Sequence, residues 1–148
     1  MTKIIKADMR NLEEAALLFD AYRQFYKQSA DLSKAKEFVR ERLSQQDSVI
    51  FLAYNNGEAA GFTQLYPAFS SVQMKRTWIL NDLYVAPKHR QKGVAESLMQ
   101  SAKFYAEETG SAALTLQTAT DNVNAQALYE KLDYQRVTTF YQYRLGID

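Results

Sequence analysis

Apolar residues follow two rhythms along this chain, and the switches between them mark the elements. Leu12, Ala15, Phe19, Tyr22 and Tyr26 recur at the spacing of one helix face, through about Lys27. A short strand at Ile4-Ile5 precedes this helix. Asp8 or Asn11 can cap it, and Asn11 with Glu14 resembles a capping box. Ser29-Ala30-Asp31 breaks the rhythm, and Ser33 can cap a second helix that carries Phe38 and Leu43 and ends near Gln45. The rhythm then turns strand-like. Val49 to Tyr54 reads as a strand, Asn55-Asn56-Gly57 as a hairpin turn that tolerates positive φ, and Ala60 to Tyr66 as the return strand, ended or bent by Pro67.

The second half alternates element types. Trp78 to Val85 is a strand stopped by Pro87. Gly93 to Thr109 is a helix with Val94, Leu98, Ala102 and Tyr105 on one face and Gly110 as its stop. Ala113 to Gln117 is a strand, Asn122 to Leu132 a short helix, and Tyr134–Val137 and Phe140–Leu145 closing strands. The chain has no repeat or linker, so residues 1–148 read as one α/β domain (α+β in layout) with a hairpin-rich first half. Only the segment from Trp78 to Gln117 has the strand–helix–strand order of a parallel crossover.

Composition narrows the chemistry. At 47% apolar residues the chain can bury a substantial core, and a net charge of +1 points to neither a nucleic-acid nor a membrane partner. The absence of cysteine excludes disulfides and thiolate catalysis, and a single histidine argues against a zinc site, so no metal is expected. No apolar run approaches the roughly 20 residues of a membrane span. Met1 to Lys6 lacks a signal-peptide core, and the expectation is a cytoplasmic protein.

The most informative stretch joins the strand ending at Val85 to the helix opening at Gly93. Backbone N–H groups at a helix start lack partners and carry the positive end of its dipole. The turn Arg90-Gln91-Lys92-Gly93-Val94-Ala95, small at Gly93 and Ala95, is therefore a seat for a phosphate or pyrophosphate. Lys88, Arg90 and Lys92 add positive charge, or form a solvated basic loop. Glu96 must point away or act as a first-turn partner of the dipole. His89 is expected at the surface, and Trp78 in the packing.

This turn resembles the Arg/Gln-x-x-Gly-x-Gly/Ala signature of the GNAT N-acetyltransferase superfamily. Its setting is similar too, between Leu83-Tyr84-Val85-x-Pro87 and an amphipathic helix. Asn122-Val123-Asn124-Ala125-Gln126-Ala127-Leu128-Tyr129, followed by Leu132-Asp133-Tyr134, resembles the family's Asn-x-x-Ala-x-x-Leu-Tyr helix and its Leu-Gly-Phe. The resemblance covers essentially the whole chain. It implies a mixed, mostly antiparallel sheet flanked by helices, in the order β-α-α-β-β-β-α-β-α-β-β. Ala95 stands for the commoner second glycine, Asp133 for Gly and Tyr134 for Phe; Asp can still adopt the left-handed conformation that ends a helix.

The resemblance further implies acetyl-CoA as donor and a primary amine as acceptor, a small amine or polyamine or a protein lysine or N-terminus. Arg90, Gln91, Lys92, Gly93, Val94 and Ala95 then match the pyrophosphate seat, and Asn122 a CoA-contacting position that can equally be a helix cap, with Asn124 as its neighbour. Backbone groups of Leu83 and Val85 match the edge that holds the pantetheine arm, and the Leu83 N–H matches the oxyanion donor. Tyr129 matches the thiolate-protonating tyrosine, though its helical spacing also suits packing. Attack on a thioester needs a neutral amine, and Asp82 is the carboxylate beside the reaction centre, as a base, an amine-binding group or a structural carboxylate. Some relatives carry Glu where this chain has Asn81, which cannot accept a proton but can hold a water or the substrate. Tyr22 and Tyr26, with Arg23, Phe25, Gln64, Tyr66, Phe69 and Tyr141, are candidates for the acceptor wall. Phe140, Tyr141 and Tyr143 suit a homodimer contact. The alternative from another class is a CoA-binding or peptide-binding module without catalysis.

Overall fold

A computed structural model describes residues 1–147, in the order β1 (Thr2–Lys6), α1 (Leu12–Phe25), α2 (Leu32–Gln45), β2 (Val49–Asn55), β3 (Glu58–Ser70), β4 (Lys75–Val85), α3 (Val94–Glu108), β5 (Leu114–Thr115) and α4 (Val123–Lys131). The strands form one sheet in sequence order, antiparallel except for the parallel β4–β5 pair, where α3 is the crossover. The chain divides into two compact units, one through Gln117 and one from Thr118 onward. The whole sheet and α1 to α3 belong to the first; α4 belongs to the second. Among the described residues, no helix is long and apolar enough to cross a membrane.

In the first unit Leu12, Ala15 and Leu18 of α1 and Val39 of α2 pack with Ile50, Leu52, Phe62 and Tyr84 of the sheet. Helix α3 buries Val94, Leu98, Met99, Ala102 and Ala106, and Trp78 and Phe51 meet its Tyr105 ring at 5.4 and 5.7 Å. Each fully buried Leu or Phe contributes about 1.5–3 kcal/mol, so both helical layers hold the sheet rigid beneath the site.

Local chemistry moves several boundaries. The capping box forms one turn early: Asp8 and Asn11 close a 3-10 turn at Met9–Asn11, while Glu14 accepts from Tyr54 Oη. Asp31, not Ser33, caps α2 by accepting the Lys34 N–H at 3.1 Å. Buried Asp20 accepts the Asp31 N–H at 3.0 Å and Gln24 Nε2 at 3.2 Å, which ties the α1–α2 connection to α1. The β2–β3 turn falls as expected, with Asn56 at φ 52° and Gly57 at φ 81°. Strand β3 runs straight through Pro67 to Ser70, because Pro67 pairs with Trp78. Trp78 sends its own N–H away from β3, to Ala113 O. A proline opposite it therefore leaves no ladder donor missing.

The expected closing strands Tyr134–Val137 and Phe140–Leu145 are not formed, and β5 keeps only two residues. A strand requires ladder partners for its N–H and C=O groups as well as β-prone side chains. Phe140, Tyr141, Tyr143 and Leu145 are all exposed and join no ladder.

Candidate active site

The C-terminal half of β4 is organised by a bulge. Residue pairing with β3 jumps from Leu65↔Leu80 to Gln64↔Asp82, so Asn81 is the extra residue. In an antiparallel ladder, successive residues point their backbone polar groups alternately toward and away from the partner strand. Trp78 and Leu80 point away from β3. The extra residue resets the alternation, so that Leu83 and Val85 also point away, while Ala86 donates back to Ala60 O at 2.8 Å. Strand β5 pairs only with Trp78 and Ile79. The Leu83 and Val85 backbone therefore lies on an edge that β5 does not ladder, the arrangement expected for an extended ligand arm to add to. Gly61 lies opposite Val85, and a Cβ there would meet Tyr84 O at 2.5 Å, so only glycine lets the strands close at this point.

The bulge also sets Asp82 into the interior, with 3% of its surface exposed. Gln64 Nε2 donates to its Oδ2 at 2.6 Å and Asn81 Nδ2 to its Oδ1 at 3.0 Å. Thr63 Oγ1 holds the Asp82 carbonyl at 2.8 Å. Burial pushes the carboxyl pKa up, and hydrogen bonds from Gln64, Asn81 and Tyr22 pull partly back. The Tyr22 hydroxyl reaches Asn81 O at 3.5 Å. Burial and the negative charge of Asp82 push the Tyr22 hydroxyl far up and that of Tyr66 to about 12. Both phenols stay protonated at neutral pH. Around Tyr22 stand Tyr26 at 5.0 Å, Phe62 at 5.7 Å and Tyr84 at 6.3 Å, while Phe25 flanks Tyr84 at 6.2 Å.

Not every expected wall residue gathers here. Phe69 sits under the Arg76 guanidinium, well along the β3–β4 hairpin from Gln64 and Asp82. Arg23 turns to Ser29 O and Asp20. Tyr141 lies in the second unit, exposed.

The turn before α3 has the backbone of an anion cradle. Gln91 (φ 61°) and Gly93 (φ 78°) are both left-handed, a pattern that aims successive N–H groups into one concavity. The first α3 bond runs from the Ser97 N–H to Gly93 O, leaving the N–H groups of Val94 and Ala95 outside the helical ladder. A Cβ on Gly93 would meet nothing within 4 Å, so the seat is open. These features fit a diphosphate. Lys92 is exposed at the rim. Arg90 folds back: its Nε donates to Val85 O at 2.8 Å and its guanidinium lies 5.5 Å from the Phe25 ring and 5.7 Å from the Tyr84 ring.

His89 departs from expectation. It is buried, because its two ring nitrogens meet Glu58 Oε1 at 3.2 Å and Asn55 Nδ2 at 3.4 Å on the β2–β3 hairpin. Glu58 also pairs with Lys88, and these partners hold its carboxyl below the usual range. The signal for this contact was the polar Asn-Asn-Gly-Glu hairpin, which has no address in sequence for a partner thirty residues on.

In the second unit Asn122 caps α4, its Oδ1 accepting the Ala125 N–H at 3.2 Å. Tyr129 is half-buried, 6.2 Å from the Tyr134 ring. Asp133 does take the left-handed conformation, at φ 70°, in place of glycine.

Comparison with known proteins gives these features a family. The profile of the Acetyltransferase (GNAT) family matches residues 12–134. The chain is 50% identical to an uncharacterized N-acetyltransferase, YhfO, of Bacillus subtilis strain 168, over 89% of each chain. It is 26% identical to the thialysine N-epsilon-acetyltransferase of Caenorhabditis elegans, over 92% of this chain and 84% of that one. The crystal structure of a probable acetyltransferase superposes with a TM-score of 0.94 at 40% identity, covering 99% of this chain and 98% of that one. An open turn of left-handed residues before α3, an unladdered strand edge and a family profile spanning both units thus converge: the chain belongs to the GNAT acetyltransferase family and is an acyl-CoA-dependent N-acetyltransferase.

Proposed function

We propose that the protein moves the acetyl group of acetyl-CoA to a primary amine by direct attack in a ternary complex. The observation that carries this reading is the pairing of a buried carboxylate, Asp82, with the adjoining free edge at Leu83. Acetyl-CoA supplies an activated thioester. The turn from Gln91 to Ala95, with Lys92 at its rim, takes the diphosphate; the Val85 backbone takes the pantetheine arm; Arg90 braces the end of that edge; and Asn122 is the further CoA contact. The Leu83 N–H donates to the thioester oxygen as charge develops there, at little reorganisation cost.

The acceptor nitrogen enters beside Tyr22, Tyr26 and Asn81, where rings and a carboxylate favour a cationic amine. Asp82 removes the ammonium proton, directly or through a water. The nitrogen then bonds the acetyl carbon, the carbon–sulfur bond breaks, Tyr129 gives its proton to the leaving thiolate, and the second proton that the nitrogen loses as the amide forms returns through solvent to the tyrosinate. The raised pKa of Asp82 suits it to this work, since a base closer to the operating pH transfers protons with less mismatch. The relative named for thialysine, an amine-bearing amino acid, supports a small primary amine as acceptor.

A thiol-release screen over polyamines, amino acids with side-chain amines and lysine peptides tests this. Small amines should turn over, and Asp82→Asn should cut turnover about 10²–10⁴-fold while acetyl-CoA still binds. Full activity in that variant would remove Asp82 from the base role.

A further inference from the structure

Gln64 has no solvent-exposed surface, yet it is polar and sits on the strand beside the base. Its amide is bonded at both ends. Nε2 donates to Asp82 Oδ2 at 2.6 Å, and Ser48 Oγ donates to Oε1 at 2.9 Å. A carboxylate only accepts, so the amide must turn its NH₂ to Asp82, which leaves Oε1 for the Ser48 hydroxyl. The orientation is fixed by chemistry at each end.

We infer that Gln64 and Ser48 are positioning residues for the acceptor-side base, a relay that fixes the direction and basicity of Asp82 from the far end of β3's neighbour. The inference rests on the reading of Asp82 given above. A Gln with one fixed donor stabilises the ionised carboxylate and leaves Asp82 Oδ1, which also accepts from Asn81, as the oxygen on the acceptor side. Hydrogen bonds in series polarise one another, so the Ser48 bond to Oε1 strengthens the Gln64 bond to Asp82. The groups facing the carboxyl are Gln64 and Tyr66 from β3, Asn81 from β4 itself, and Tyr22 from α1; the two amides carry no charge, and the raised Tyr22 and Tyr66 hydroxyls keep their protons at working pH. No cation among them holds Asp82 ionised, and its basicity depends on neutral donors that Ser48 and Gln64 orient.

Ser48 offers a clean handle. It is half-buried and lines a cavity of about 810 Å³, and its hydroxyl can be removed without touching Asp82 itself. The experiment follows kcat/KM for the best amine against pH in the full chain, for the wild type, Ser48→Ala, Ser48→Thr, Gln64→Met and Asp82→Asn. Losing one bond of the relay should move the acid limb up by about half to one pH unit and lower kcat/KM about three- to tenfold on that limb. KM for acetyl-CoA should not move. Ser48→Thr, which keeps the hydroxyl, should restore the wild-type profile, and Gln64→Met should shift the limb further. An unmoved acid limb in Ser48→Ala, with the limb abolished in Asp82→Asn, would overturn the relay alone. A limb that survives unchanged in Asp82→Asn would overturn the base assignment and the relay with it.

Discussion

Burial and hydrogen bonding pull Asp82 in opposite directions, and burial wins, leaving its pKa raised in the folded chain. A group whose folded pKa lies above its unfolded value favours folding when protonated. Its contribution is full below the ordinary carboxylate range and is lost as pH rises through the raised value. Asp82 therefore costs stability at neutral pH, where the proposed reaction uses it ionised. Asp82→Asn should raise Tm near pH 7, by about 2–4 °C for each kcal/mol of relieved desolvation, and the gain should vanish at acid pH. A melting series over pH checks this, and a variant less stable than wild type at pH 7 would contradict it. The resemblance pointed to Asp82 as a candidate because the strand and its end were legible. It did not show Gln64 as the partner of Asp82, Ser48 behind it or Glu58 against His89. Each of those contacts spans 16 to 31 residues, and a polar residue in a strand pattern carries no mark of which strand it will face.

Elements were legible where one local rule decided them. Helical spacing, an Asn-Gly turn and a proline stop gave α1 to α4, the β2–β3 hairpin and the end of β4 within a few residues. Elements failed where a partner decided them. Pro67 read as a break, yet β3 continues because its opposite residue asks for no donor. Phe140 to Leu145 read as a strand, yet no ladder receives it. The bulge at Asn81 left no signal, and it alone aims Leu83 outward. The turn before α3 is the opposite case, since its glycine and the helix it opens are both local features. Gly93→Glu adds a side chain to a residue at φ 78° and puts negative charge into the cradle. The folded variant should lose measurable acetyl-CoA binding by calorimetry while keeping its circular-dichroism spectrum; wild-type affinity would show that the diphosphate sits elsewhere.

At the scale of the molecule, the residues proposed for the reaction are divided between two units of the chain. The turn before α3, the β4 edge and the proposed base lie in the first unit, and the proposed acid, Tyr129, lies in the second with the proposed CoA contact Asn122. Binding and proton donation are therefore separable by mutation. Acetyl-CoA at about 100 times its Kd stabilises a chain that binds it only when folded by about 2.7 kcal/mol, a Tm rise of roughly 5–10 °C for a chain of this size. Tyr129→Phe removes one hydroxyl and leaves every group of the cradle in place. It should keep that thermal shift while lowering kcat about 10²-fold or more, since a thiolate would leave without its proton. The loss should also shrink with acyl donors whose leaving thiol is more acidic, because such a thiolate needs the proton less. Unchanged kcat with acetyl-CoA would take Tyr129 out of the reaction. A vanished thermal shift would make it a binding residue instead.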